Sequence, residues 1–97
     1  MGKCSERVAA KRHAILDAAR KRGAYNVRIF GSVARGEDGP TSDVDFLIDL
    51  EERRNMLDVG GLLMDLERIL DCNVHVVLES ALYLPIREQV LAEAQPL

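Results

Sequence analysis

Asp43 and Asp45 stand two residues apart in the stretch Ser42-Asp43-Val44-Asp45-Phe46-Leu47-Ile48-Asp49. A strand turns residues two apart to the same face. Two carboxylates held side by side repel each other unless a cation lies between them. Val44, Phe46 and Ile48 have the opposite parity and are apolar, so they anchor the strand in a core. Upstream, Gly31-Ser32-Val33-Ala34-Arg35-Gly36 follows the strand-like run Asn26-Val27-Arg28-Ile29-Phe30. Ser32 suits a helix N-cap, with Val33-Ala34-Arg35 as the first turn. A helix start offers free backbone N–H groups and a positive dipole end, and both suit a phosphate. Read alone, Gly31-Ser32 is an ordinary strand-to-helix turn and Arg35 a solvated helix-end arginine. Beside two paired aspartates, a phosphate cradle becomes the stronger reading, and the combination points to chemistry on a nucleoside triphosphate.

The surrounding pattern supplies elements to position these groups. Ser5 can cap a helix from about residue 6 to 22, with Val8, Ile15, Leu16 and Ala19 on its apolar side. The first strand follows, then the short Ser32 helix, and then a turn-rich loop around Glu37-Asp38-Gly39-Pro40. The second strand covers about 43–50. A helix capped by Asn55 or Asp58 continues to about Leu70, with Val59, Leu62, Leu63, Leu66 and Leu70 at helical spacing. Asn73 to Leu78 reads as a third strand, and Pro85 suits the first turn of a last helix that turns Ile86 and Val90 inward. Helix, strand, short helix, strand, helix, strand, helix is an α/β order.

Ninety-seven residues suit one small domain, residues 1–97, with a single modest core. An apolar share of 47% and a charged share of 30% are those of a soluble globule. A net charge of −3 and the lack of a Lys/Arg stripe oppose a nucleic-acid partner. No apolar run reaches the roughly 18 residues of a membrane span, and no signal core follows Met1, so a cytoplasmic location is expected. Cys4 and Cys72 are far apart in sequence and are read as reduced thiols.

Gly-Ser, then Arg-Gly, then Ser-Asp-x-Asp after a short loop resembles the signature of the DNA polymerase beta-like nucleotidyltransferases, and the length resembles their minimal nucleotidyltransferase (MNT) group. The resemblance covers nearly the whole chain. It implies a small mixed β-sheet whose main face is covered by helices. It also implies that Gly31 and Ser32 hold the terminal phosphates of ATP, with Arg35 in support and Ser42 orienting its turn. Asp43 and Asp45 would be paired ligands of magnesium or manganese. The implied reaction is AMP transfer to a hydroxyl of a partner protein, a tyrosine of a HEPN-domain toxin, with this chain as the antitoxin.

One position departs from the family pattern. A third carboxylate is normally found on the third strand, and the matching segment here is Val74-His75-Val76-Val77. His75 either takes over that catalytic place or leaves a weak or inactive module that neutralises its toxin by contact. Glu79, just past the strand, is a further candidate for the missing carboxylate.

Overall fold

A computed structural model of the chain describes residues 4–39 and 43–97. Two helices, α1 (Cys4–Ala10) and α2 (Arg12–Lys21), precede strand β1 (Ala24–Phe30) and the single turn α3 (Gly31–Ala34). Strand β2 (Val44–Leu50), helix α4 (Met56–Leu70) and strand β3 (Val74–Leu78) come next. A 3₁₀ turn at Glu79–Ala81, helix α5 (Leu84–Glu93) and the two-residue strand β4 (Gln95–Pro96) complete the chain. The sheet runs in the order β3-β2-β1-β4. It is mixed: β1 is antiparallel to β2 and to β4, whereas β2 and β3 are parallel, joined by α4. The expected α/β class and mixed sheet are therefore present.

The two faces of the sheet carry different chemistry because β2 alternates. Val44, Phe46 and Ile48 point into the main core, where they meet Ile15 and Ala19 of α2 and Leu62, Leu66 and Leu70 of α4. All three strand residues are fully buried, which stabilises the fold by roughly 1.5–3 kcal/mol for each large side chain. The opposite face takes a smaller cluster of Leu47, Leu82 and Val90, with Phe30, Val77 and Leu91 packed on it. Asp43, Asp45 and Asp49 share the parity of Leu47, so they belong to this second face.

Local signals account for the ends of the elements. Asn55 and Asp58, read as alternative caps, act together. The Asn55 side chain accepts from the Leu57 N–H (2.9 Å), and Asp58 accepts from the Asn55 N–H (3.3 Å). Such a reciprocal box contributes about 1 kcal/mol. The expected first helix is broken at Lys11, although its N–H still donates to the Arg7 carbonyl (2.9 Å) and its own carbonyl accepts from Ile15 (2.9 Å). Ser5 is not its cap. The helix already includes Cys4, and the Ser5 N–H donates to the buried Asp38 carboxylate (3.2 Å).

Two further expectations are corrected. Ile86 is 45% exposed and not turned inward, because α5 covers the sheet only through Val90 and Leu91 near its C-terminal end. The strand β4 had no sequence signal, since two residues carry no periodicity. The cysteines are not separate thiols: Cys4 and Cys72 are joined as a disulfide, with Cα atoms 6.6 Å apart across 68 residues. Helix α1 lies over the end of α4, where Arg7 donates to the carbonyls of Leu70 (3.2 Å) and Asp71 (2.8 Å), and this brings the two residues together. Among the described residues, no helix is long and apolar enough to cross a membrane.

Candidate active site

Three strand ends meet at one edge of the second face: the C-terminal end of β1 and the N-terminal ends of β2 and β3. Phe30 is paired with Asp45, so the turn that follows β1 starts beside that carboxylate. The parallel register places Asp45 opposite His75. His75 Nε2 lies 2.8 Å from Asp43 Oδ2. The sequence-predicted residues Asp43, Asp45 and His75 are thus one cluster, and Gly31 adjoins it. Ser42, expected to orient this turn, lies outside the described residues.

Gly31 explains how the turn comes so close. Its φ is +75°, a conformation that only glycine adopts without penalty. A Cβ there would run into the Asp45 carboxylate. Helix α3 starts at Gly31, with Phe30 in the extended cap position and no capping side chain. The expected Ser32 cap is therefore corrected: Ser32 is inside the turn, and the helix begins one residue earlier than the Ser-Val-Ala pattern suggested. The Gly31 N–H is instead taken by Glu93 Oε1 (3.1 Å), from the far end of α5.

Arg35 closes the turn. Its Nε donates to Glu37 (3.0 Å) and its Nη1 to Glu93 Oε2 (3.0 Å). These two carboxylates hold the guanidinium firmly charged. No sequence signal pointed to Glu93, because it is 62 residues from Gly31 and reaches it only through the packing of α5.

The electrostatics follow from this crowding. Burial pushes the Asp45 carboxyl above its ordinary value, and the charges of Asp43 and Glu93 push the same way, while His75 and Arg35 oppose them. The hydrogen bond to Asp43 raises the His75 imidazole above its ordinary 6.5, with the charge of Asp45 adding to it. A histidine raised in this way favours the folded state below its unfolded pKa. That contribution disappears as pH rises through the folded pKa. An NMR titration of the metal-free protein is therefore expected to put the His75 midpoint above 6.5, and Asp43→Asn to bring it down. A midpoint unmoved by that substitution would show that Asp43 does not hold the ring.

Glu79 does not stand in for a third carboxylate. It accepts from Arg28 Nη1, and Arg87 lies 3.5 Å away on its other oxygen. It is four residues beyond His75, just past the end of β3, about 13 Å along the sheet. Asp49 accepts from Asn26 Nδ2 (2.9 Å) at that same far end. Among the described residues, no three His, Cys, Asp or Glu side chains are gathered as a ready-made metal site.

Known proteins resemble most of this chain. A family model described as "Nucleotidyltransferase domain" matches residues 13–97. Protein adenylyltransferase MntA of Thermococcus cleftensis is 39% identical over 71 residues, which cover 73% of this chain and 72% of its own length. A Methanocaldococcus jannaschii protein named as a candidate protein adenylyltransferase is 35% identical over 74 residues, 76% of this chain and 80% of its own. A solved structure described as a candidate minimal nucleotidyltransferase superposes with a TM-score of 0.87 at 46% identity, covering 96% of this chain and 95% of its own. A toxin–antitoxin crystal structure with AMP-PNP gives a TM-score of 0.74 at 20% identity, covering 87% and 69%, a likeness of fold.

Proposed function

The chain belongs to the nucleotidyltransferase domain family and is a nucleotidyltransferase, and from that premise we propose that it transfers AMP from ATP to a hydroxyl of a partner protein. One observation carries the reading: Gly31 brings a phosphate-compatible turn against Asp45, in register with His75 and beside Asp43. The adenylyltransferase names of the relatives support a protein acceptor, and the similarly folded toxin–antitoxin structure supports an antitoxin role. The motif resemblance further supports a tyrosine of a HEPN-domain toxin as the acceptor.

The donor set fits a divalent cation. Asp43 and Asp45 are neighbouring carboxylates, and the second is part-buried and pushed up by that burial and by the charge of the first. They would hold magnesium or manganese, which would supply positive charge to neutralise the phosphates. The Gly31 N–H, the Ser32 hydroxyl and the Arg35 guanidinium would hold the β- and γ-phosphates. The acceptor hydroxyl would attack the α-phosphorus. A new O–P bond forms, the bond to the β-phosphate breaks, and pyrophosphate leaves. The hydroxyl proton would pass to the Asp43–His75 pair. Positioning and charge stabilisation do most of the work in such a transfer.

A second reading rests on His75 itself. An imidazole hydrogen-bonded to Asp43, where a carboxylate is expected, suits a module that binds its toxin without modifying it. Incubation with α-labelled ATP, magnesium or manganese, and the protein encoded beside this gene separates the two. The expected result is label on a tyrosine of the partner. A stable, unlabelled complex, with labelling gained only by His75→Asp, would replace enzyme by binding module.

A further inference from the structure

Glu93 lies where an anionic ligand would be expected. One carboxylate oxygen accepts from the Gly31 N–H (3.1 Å) and the other from Arg35 Nη1 (3.0 Å). A backbone amide and a guanidinium converging on two oxygens of one anion are the contacts a phosphate group makes. Its side chain is only 19% exposed, so this is no loose surface pair. The backbone that carries it is firmly placed. Val90 is buried one turn earlier in α5, and Gln95, two residues later, donates to the Ala34 carbonyl (3.0 Å) at the other end of α3. β4 then pairs with β1 through Gln95 and Ile29. The C-terminal segment therefore holds α3 at both ends, and rotation of the Glu93 side chain alone would free the amide and the guanidinium. Arg35 would keep Glu37 as a partner through that change.

We propose that Glu93 is an internal competitor of the nucleotide: its carboxylate occupies the phosphate place at Gly31 and Arg35 and must swing out before a phosphate binds. The proposal rests on the nucleotide reading of this site and adds its regulation. Glu93 also adds negative charge close to Asp45, so its departure relieves the carboxylate cluster.

Titration calorimetry of ATP, inorganic tripolyphosphate and adenosine tests this on wild type, Glu93→Gln and Glu93→Ala, with folding checked by circular dichroism. Without the competing carboxylate, the amide and the guanidinium are free for the ligand, and ATP and tripolyphosphate should bind about tenfold more tightly. Adenosine, without phosphate, should bind all three proteins alike. Equal ATP affinity in wild type and both variants would overturn the competitor alone. Weaker phosphate binding by the variants would also overturn it and make Glu93 a residue that positions Arg35. If neither wild type nor variants bind ATP or tripolyphosphate, the nucleotide reading itself fails and takes the competitor with it.

Discussion

Replacing both Asp43 and Asp45 by asparagine is expected to lower AMP transfer about a thousandfold or more while the protein remains folded. Asparagine keeps the shape of each side chain and removes both negative charges. Its amide oxygen can still accept from His75 Nε2. The fold should tolerate the change because Val44, Phe46 and Ile48, the β2 residues of the main core, point to the other face. Asp45 alone gives the sharper thermodynamic test. Its carboxyl is raised above its ordinary value, first by burial and next by Asp43. Ionising such a group costs folded-state stability as pH rises through the unfolded and then the folded pKa. At neutral pH, Asp45→Asn should therefore melt at the same temperature as wild type or higher, with transfer abolished. Loss of activity together with greater stability is what a functional carboxylate predicts. A variant that is less stable, or one that still transfers AMP, would put the role of Asp45 in doubt.

The parity of Asp43 and Asp45 was legible because alternation along a strand depends only on the sequence. The apolar set Val44, Phe46 and Ile48 fixes which face is buried, and the aspartates follow. His75 was legible as the partner position only through the family pattern. The register that sets it opposite Asp45 comes from the parallel pairing of β2 and β3, which local periodicity does not encode. Glu93 was not legible at all. Its contacts with Gly31 and Arg35 depend on how α5 crosses the second face, and that packing rests on a few residues, Val90, Leu91 and Ala94 against Leu47. The Ser32 cap was misread for a related reason. An N-cap serine is a local preference, whereas here a distant carboxylate satisfies the first amide. Glu79 shows the opposite error. Nearness in sequence to His75 suggested nearness to the site, but four further residues took it to Arg28 and Arg87.

Gly31→Ala is expected to cut AMP transfer about a hundredfold, since a displacement of about 1 Å in a reacting group can cost that much. Two effects act together. A residue with a Cβ pays roughly 1–2 kcal/mol to hold a left-handed backbone such as the φ of +75° here. The added methyl group would also collide with the Asp45 carboxylate, which would have to turn away from its place opposite His75. Gly36 separates the effects. Its φ is +72°, yet a Cβ there would meet nothing within 4 Å. Gly36→Ala should therefore cost similar stability in a denaturant melt and leave transfer close to wild type. If both variants lose stability and only Gly31→Ala loses transfer, the close approach of the turn to Asp45 is what matters. If the two lose transfer equally, backbone strain in the α3 turn is sufficient, and the contact between Gly31 and Asp45 has no special part in the chemistry.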